Sequence, residues 1–283
     1  MHFVHRVDPT PDGIIDTEIP FTSHDGATVN LRRFAQSDVI KASTPQPAVL
    51  YVHGGGMVCG SVEIYAPYMA RLANETNIPI FAVDYRLAPE QEAPGLTADV
   101  FFALKYLSDH AADWNIDPSR IAVMGDSAGG GLAAGAALMA RDRGLSPPLA
   151  KQILVYPMLD DRTSLSETSS LNEFLSWDSH ANKLGWSAAL GADKAGKDDA
   201  NVSIYAAPGR AVDLSALPST YIEVGGLDLF RGECISYASR LAAAEVEVEL
   251  HVWPGLPHGF DVMSKLSWAQ KAADARARAL RHL

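Results

Sequence analysis

Short apolar runs and longer amphipathic stretches alternate along most of this 283-residue chain. Runs rich in Val, Ile and Leu predict buried strands, and apolar residues three or four positions apart predict helices. The predicted strands include 16–22, 28–34, 47–52, 78–84, 120–124, 152–156 and 220–224, and the predicted helices include 61–76, 96–112, 130–140 and 266–283. Strands and helices that take turns in this way predict an α/β fold, with a mostly parallel central sheet and helices on both faces.

One insert, residues 159–214, interrupts the alternation between two of the predicted strands. It contains two predicted helical segments, at about 171–177 and 178–190, and then a polar stretch. Because functional loops emerge where parallel strands end, we interpret the insert as a helical cap over the functional site. Its candidates to line a substrate pocket are Phe174, Trp177, Trp186 and Tyr205. The alternative is that these aromatic side chains only anchor the cap to the sheet.

Residues 125–129 read Gly-Asp-Ser-Ala-Gly, which is a G-x-S-x-G pentapeptide. An apolar run precedes it at 120–124, and a run of small residues follows it at 130–140. A strand, a sharp turn and a helix in that order hold a serine hydroxyl up at the end of a sheet. The pattern therefore predicts Ser127 as a nucleophile.

A predicted strand at 47–52 runs directly into His53 and three glycines, residues 54–56. Glycines allow the backbone to turn so that peptide N–H groups point into a cavity, where they stabilise a developing oxyanion. The N–H groups of Gly55, Gly56 and Ala128 are the candidate donors. The alternative is a flexible glycine turn without a catalytic role.

A nucleophilic serine needs a base, and the base needs an acid that orients it. His258 lies in a Pro/Gly loop after a predicted strand and is the candidate base, whereas His251 lies within that strand and is expected to pack on the sheet. Asp228 follows the strand at 220–224 and precedes His258, so it is the candidate acid. Glu223, inside the strand, is the weaker candidate.

Four motifs together resemble those of the hormone-sensitive-lipase-like (family IV) bacterial esterases of the α/β-hydrolase superfamily. They lie at residues 53–56, 84–90, 125–130 and 257–260. The resemblance implies one α/β-hydrolase domain over residues 1–283 and a cytoplasmic serine carboxylesterase that prefers short-chain acyl esters. It implies a triad of Ser127, Asp228 and His258 and an oxyanion hole of Gly55, Gly56 and Ala128. It also implies that His53 orders the glycine loop.

The chain departs from the family pattern at several places. The acid loop carries Leu229 and Gly232 where the family has proline and aspartate, which changes the stiffness of the loop. Met57 follows the glycines where the family often has an aromatic residue, so we expect Met57 in a less sharply defined acyl pocket. About 50 residues precede His53, fewer than in the family, so the amino-terminal part of the cap, about residues 1–15, is expected to be short.

The implied reaction needs no cofactor. Neutral His258 takes the proton from Ser127 as the hydroxyl attacks the ester carbonyl, and it later protonates the leaving alkoxide. We therefore expect the activity to fall as the pH drops through about 6 to 7, where a free imidazole titrates.

Composition narrows the class of partner. The formal net charge is −11 and no basic run is present, which argues against nucleic acid and anionic membranes as partners. No apolar run is long enough to cross a bilayer, and no His, Cys or carboxylate cluster has metal-ligand spacing. The two cysteines are expected to be reduced, and residues 1–20 lack the pattern of a signal peptide, in keeping with a cytoplasmic location.

Two other functions stay open. Arylformamidases, which cleave activated amides, carry a similar His-Gly-Gly loop, although no polar anchor for an aryl amide is visible in the chain. The plant gibberellin receptor resembles the same family but has lost the catalytic histidine and only binds its ligand, whereas His258 is present here. A small-molecule ester is the expected partner, and a homodimer is a further expectation because relatives are often dimers.

Overall fold

The structure is a computed structural model and describes residues 11–283, so the part of the expected cap at residues 1–10 lies outside the described residues. The described residues form a sheet of eight strands. The strands are β1 (Ile14–Thr22), β2 (Thr28–Gln36), β3 (Gln46–Val52), β4 (Ile80–Val83), β5 (Ile116–Asp126), β6 (Lys151–Val155), β7 (Ser219–Leu227) and β8 (Val248–Pro257). The helices are α1 (Ser37–Ile40), α2 (Val62–Thr76), α3 (Gly95–Asp109), α4 (Ala128–Asp142), α5 (Ser179–Leu190), α6 (Arg231–Ala243) and α7 (Ser267–Arg281). Short 3-10 helices occur at Ala111–Trp114, Ser170–Phe174, Pro208–Arg210 and Phe260–Met263.

The sheet is mostly parallel, as predicted. Its strand order is β1-β2-β4-β3-β5-β6-β7-β8, in which β1 and β2 pair antiparallel with their neighbours and the other pairs are parallel. Helices cover both faces, with α3 against α4 and α2 against α7. This arrangement confirms the predicted α/β-hydrolase fold.

The centre of the sheet is buried and mostly apolar. Strands β3 and β4 are buried along almost their whole length, which explains why they read as continuous apolar runs rather than as alternating ones. Helix α4 is buried from Ala128 to Ala140, and its Gly and Ala residues let it lie close against the sheet. The carboxyl end of β5 and the start of α4 are therefore held rigidly at the centre of the molecule.

The insert, residues 159–214, has one α-helix rather than two. The segment predicted as helical at 171–177 contains a short 3-10 helix, Ser170–Phe174, and the chain is extended at Leu175. Helix α5 begins after Asp178, whose carboxylate accepts a hydrogen bond of 2.8 Å from the Ala181 N–H. This side-chain cap satisfies a free N–H at the helix start and explains why the break falls there.

Within residues 11–283, no helix combines the length and the apolar character that a membrane crossing requires.

Candidate active site

Ser127 lies at the sharp turn between β5 and α4. Its backbone angles are φ 55° and ψ −121°, a conformation that residues other than glycine rarely adopt. The turn is held on both sides, because the Ser127 N–H donates to Val155 O at 2.9 Å and its carbonyl accepts from the Met158 N–H at 2.9 Å. Strain of this kind persists where the surrounding structure fixes it, typically at functional sites.

The glycines beside Ser127 are required by close backbone approach. A Cβ atom at Gly125 would lie 2.3 Å from Gly129 O, and one at Gly129 would lie 2.1 Å from Val52 O. No side chain can occupy these positions unless the backbone moves. The G-x-S-x-G pattern therefore has a steric cause in this fold.

Ser127, His258 and Asp228 are joined in one hydrogen-bonded row. His258 Nε2 lies 2.9 Å from Ser127 Oγ, and His258 Nδ1 lies 2.8 Å from Asp228 Oδ2. Asp228 follows β7 and His258 follows β8, so both side chains reach the edge of the sheet at which β5 ends. Asp228 is fully buried and His258 is 5 % exposed.

The row fixes the protonation pattern. An ionised Asp228 only accepts hydrogen bonds, so Nδ1 of a neutral His258 carries the proton and Nε2 accepts from the Ser127 hydroxyl. The second carboxylate oxygen of Asp228 accepts from the Phe230 N–H at 2.8 Å, which holds the acid in place. The arrangement can withdraw a proton from Ser127.

The glycine loop after β3 also depends on backbone freedom. Gly55 has a φ of 124° and Gly56 a φ of 61°. A Cβ atom at Gly55 would lie 1.9 Å from Cys59 O, and one at Gly56 would lie 2.4 Å from Cη2 of Trp177. The loop is closed by hydrogen bonds from the N–H groups of Val58 and Cys59 to Gly55 O, each 3.1 Å long.

His53 lies under this loop and is buried. Its Nδ1 lies 2.8 Å from Gly54 O, and its ring stacks on Tyr85 at 4.3 Å between centroids. Burial lowers the pKa of His53, which favours the neutral ring. A neutral, stacked ring in this position supports the loop without contacting Ser127.

Asp126, next to the nucleophile, has no cation among its hydrogen-bond partners in the described residues. It accepts hydrogen bonds from the hydroxyls of Tyr51 and Tyr65. Burial raises the pKa of Asp126 to about 6, although the Tyr51 hydrogen bond opposes this rise. The pKa of this carboxyl therefore lies well above the ordinary range of an aspartate.

Glu223 and His251 lie away from the triad row. Glu223 is buried, accepts hydrogen bonds from Tyr221 and Trp253, and forms an ion pair with Arg276. His251 stacks parallel to Trp253 at 4.8 Å and pairs with Glu249 at 2.7 Å. Both residues pack on β7 and β8, as the sequence indicated for the histidine.

Trp177 is the candidate pocket residue that the structure brings to the triad. Its ring meets Gly56, and its centroid lies 6.5 Å from that of His258. Met57 is buried directly after the glycines, and Phe174 is 53 % exposed on its 3-10 helix. The indole of Trp177, which belongs to the insert, thus lies directly against the glycine loop.

Two of the pocket predictions are wrong. Trp186 is only 1 % exposed and packs in the hydrophobic core, so it presents no surface to a substrate. The Tyr205 hydroxyl donates to Asp142 at 2.9 Å, at the end of α4 opposite to Ser127. Since α4 rises 1.5 Å per residue, this contact lies roughly 22 Å along the helix from the nucleophile.

The sequence did not identify the contacts that connect the insert to the site. The Ser176 hydroxyl donates to His258 O at 2.7 Å. Asn182 accepts from the Trp177 indole N–H at 3.3 Å and donates to Thr163 O at 2.9 Å. These polar residues carry no motif, and no local pattern in the sequence could have singled them out.

Two aromatic residues beside His258 were also missed. The ring centroids of Tyr156 and Phe230 lie 4.8 Å and 5.1 Å from that of His258, both in edge-to-face orientation. Such pairs contribute about 0.5–1.5 kcal/mol beyond their buried area. A signal was present for both, because Tyr156 directly follows a parallel strand and Phe230 lies two residues after the candidate acid.

The two cysteines are free and lie in different surroundings. Cys59 is exposed, and its thiol lies 3.2 Å from Gly55 O. Cys234 is buried in α6, and burial raises the pKa of its thiol well above the usual range. Within residues 11–283, no group of three or more His, Cys, Asp or Glu side chains is placed to hold a metal ion.

Comparison with known sequences agrees with this geometry. The family described as having the alpha/beta hydrolase fold matches residues 49–262, which is most of the chain. The chain therefore belongs to the alpha/beta hydrolase fold family, and within it to the hormone-sensitive-lipase-like esterases that its four motifs resemble.

Similar proteins include several named esterases. Esterase LipI of Mycobacterium tuberculosis is 39 % identical over 218 residues, which cover 76 % of this chain and 65 % of LipI. The chain thus spans slightly less than two thirds of that relative. An ethyl acetate hydrolase of Pseudomonas putida is 33 % identical over 90 % of this chain and 78 % of its own length. Among solved structures, a bacterial heroin esterase superposes with a TM-score of 0.90 at 41 % identity, covering 98 % of this chain and 86 % of that one.

Proposed function

We propose that the protein is a serine carboxylesterase that hydrolyses short-chain acyl esters through an acyl-enzyme. The observation that carries the proposal is the hydrogen-bonded row of Ser127, His258 and Asp228, with distances of 2.9 Å and 2.8 Å. The similar proteins named esterase, carboxylesterase and ethyl acetate hydrolase support the same class of reaction.

In the first step, His258 Nε2 accepts the Ser127 hydroxyl proton while Oγ attacks the ester carbonyl carbon. Asp228 stabilises the imidazolium that forms, because its carboxylate accepts the Nδ1 hydrogen bond in a fully buried position. The imidazolium then protonates the leaving alkoxide. Water, activated by the same base, hydrolyses the acyl-enzyme and releases the acid.

The oxyanion is bound by the N–H groups of Gly55, Gly56 and Ala128 in this proposal. The positive φ angles of the two glycines and the position of Ala128 at the first turn of α4 support this assignment. A donor of this kind typically contributes about 10²–10³ in rate. The N-terminus of α4 adds a favourable dipole for negative charge.

The insert, residues 159–214, acts as the cap of a single catalytic domain in this proposal. Its support is the contact of Trp177 with Gly56 and the hydrogen bond of Ser176 to His258 O. Trp177 would face the substrate, and Met57 and Phe174 are weaker candidates. A wall this close to the glycine loop favours short acyl chains.

We also propose a cytoplasmic enzyme that acts on a small-molecule ester and does not bind nucleic acid. Two free cysteines fit a reducing compartment, and a formal charge of −11 opposes binding to phosphate backbones. A homodimer is proposed only from the resemblance to the family.

The test is hydrolysis of p-nitrophenyl esters from acetate to dodecanoate, beside aryl formamides, for the wild type and Ser127→Ala. We expect a maximum at short chains, loss of activity in Ser127→Ala, and unchanged activity in the control Ser215→Ala, which alters an exposed serine. A p-nitrophenyl phosphonate should add one phosphonyl mass to the wild type and none to Ser127→Ala. Preference for the formamides would favour an amidase, and absence of labelling would favour a binding protein.

A further inference from the structure

The imidazole of His258 packs against Tyr156, which is linked through Asp261 to Arg276, and none of these three side chains belongs to the triad. Tyr156 follows β6, Asp261 lies on the 3-10 helix after His258, and Arg276 lies on α7. Tyr156 and Arg276 are nearly inaccessible, at 3 % and 2 % exposed. We call these three residues the His258 anchor.

The first contact of the anchor is aromatic. The Tyr156 ring packs edge-to-face on His258 at 4.8 Å between centroids, and Phe230 packs on it at 5.1 Å. The Tyr156 hydroxyl donates to Asp261 Oδ2 at 2.5 Å. The phenol therefore contacts the imidazole with its ring while its hydroxyl is bound to the loop that carries the imidazole.

The second contact is ionic. Asp261 lies three residues after His258, and its other carboxylate oxygen accepts from Arg276 Nη2 at 2.8 Å. Arg276 is itself fixed, because its Nε donates to Glu223 Oε1 at 2.6 Å and its Nη1 donates to the Tyr68 hydroxyl at 2.6 Å. Helix α7 thus supplies a buried cation that holds the far end of the His258 loop.

The backbone of Tyr156 is constrained as well. Its φ is 35°, a value that is uncommon for a bulky residue, and its N–H donates to Glu223 O at 2.6 Å. A backbone held in this region by its surroundings is often part of a functional site. Here it directs the phenol toward His258.

We propose that the His258 anchor positions the catalytic imidazole, a role that rests on the proposed esterase function. During turnover Nε2 must serve first Ser127 Oγ and then the leaving oxygen, so the plane of the ring must stay aligned with both. The anchor restricts rotation of the ring from one side and fixes the loop beneath it. Tyr156, Asp261 and Arg276 are positioning residues, since none of them touches Ser127 Oγ.

The decisive variant is Tyr156→Phe, because it keeps the ring against His258 and removes only the hydroxyl that binds Asp261. We expect kcat per titrated active site to fall about ten-fold while KM stays within about two-fold, since small misplacements of a catalytic group are costly. Active sites are counted with the p-nitrophenyl phosphonate. In proton NMR, the downfield signal of the His258 Nδ1 proton should shift or broaden.

The matched control is Tyr205→Phe. The Tyr205 hydroxyl also donates to a carboxylate, that of Asp142 at 2.9 Å, but this pair lies at the end of α4 opposite to Ser127 and shares no contact with the anchor. The variant loses a tyrosine–aspartate hydrogen bond of the same kind, so it should lower the melting temperature without disturbing His258. Its kcat per active site and its downfield signal should match the wild type.

The proposal is overturned if Tyr156→Phe keeps the wild-type kcat and downfield signal and loses only thermal stability, as the control does. If Tyr156→Phe does not fold, Asp261→Asn decides the question by the same two readouts, with a fall in kcat expected at unchanged KM. Failure of the esterase function itself is recognised separately, because the wild type would then neither turn over esters nor be phosphonylated. The NMR signal would still test the anchor in that case.

Discussion

The two sides of the site are built by different means. The sheet side, with the Ser127 turn and the glycine loop, is set by backbone atoms that approach so closely that Gly55 and Gly129 admit no Cβ. The insert side is held largely by side-chain hydrogen bonds, such as those of Ser176 and Asn182. The sheet side therefore tolerates almost no change, whereas the insert side can change its side chains without moving the nucleophile.

This contrast predicts that substitutions have steric, all-or-none effects on the sheet side and graded effects on the insert side.

The largest effect is expected for Gly129→Ala. Its Cβ would lie 2.1 Å from Val52 O and 2.5 Å from His53 O, and neither backbone oxygen can move without shifting β3. We expect a loss of at least about 3 kcal/mol in the free energy of unfolding and a fall in activity of about 100-fold or more. Urea unfolding and ester hydrolysis are the measurements.

The matched control is Gly232→Ala on α6, where a Cβ meets nothing within 4 Å. A helical Gly→Ala change of this kind should stabilise the protein by about 0.5–1 kcal/mol and leave hydrolysis intact. Equal effects of the two substitutions would contradict the steric explanation.

The next effect is expected for Gly56→Ala, where the two sides meet. The new methyl would lie 2.4 Å from Trp177 Cη2, so either the loop or the indole must move. If the Gly56 N–H binds the oxyanion, kcat should fall about 100- to 1000-fold. Because the obstacle is a side chain, the double variant Gly56→Ala/Trp177→Ala should recover at least part of the activity. If the double variant is no more active than the single one, the loss comes instead from the strain of an alanine at a φ of 61°.

Asp126 and Glu233 allow a comparison of buried carboxyls. Burial raises the pKa of Asp126 from an ordinary 3.8 to about 6. Burial also raises the pKa of Glu233 well above its usual range. The Glu233 carboxylate accepts hydrogen bonds from Leu159 and Thr163 of the insert. For Asp126, the raised pKa means that the folded state binds the proton more tightly than the unfolded state between pH 4 and 6. The contribution of Asp126 to stability should therefore fall as the pH rises through that window and then stay level.

For Asp126 the corresponding cost at neutral pH is roughly 3 kcal/mol. Asp126→Asn should accordingly gain stability relative to the wild type above pH 6 and lose that advantage toward pH 4. Urea unfolding at several pH values gives the difference. For Glu233→Gln, the gain in stability over the wild type should continue to grow to a higher pH, because the pKa of Glu233 is raised further. A difference in stability that does not vary with pH in either variant would refute the titration.

The smallest effect is expected for Ser176→Ala, which removes the 2.7 Å hydrogen bond to His258 O. A hydrogen bond of this kind contributes about 1 kcal/mol, so kcat/KM should fall about five-fold. The control is Ser166→Ala in the same insert, whose hydroxyl bonds only to Thr168 among the described residues. Equal rates for both variants would mean that the insert does not influence the His258 loop.

The same contrast explains what the sequence could predict. The sheet side follows from local demands on the backbone, so the Ser127 turn and the glycine loop leave fixed residue types at fixed spacing. Asp228 and His258 could be placed because the carboxyl ends of parallel strands share one edge of the sheet. The strands and the fold class followed from the alternation of apolar runs.

The insert side depends on pairings between distant residues, and these leave no pattern. Ser176 and His258 are 82 positions apart, and Ser176 belongs to no recognisable motif. Trp186 and Tyr205 were assigned to the pocket by residue type, but residue type does not indicate which face of a helix is buried or which end of α4 a loop meets. Tyr156 could not be predicted from the sequence for a similar reason, because its role depends on contacts with the distant residues Asp261 and Arg276.

The different exposure of the two cysteines allows the glycine loop to be labelled selectively. A thiol reagent should modify exposed Cys59 and spare buried Cys234, whose raised pKa and enclosure make it unreactive. A fluorophore attached at Cys59 would sit four residues from Gly55. The native chain can therefore carry a single optical reporter of loop movement without any engineered cysteine.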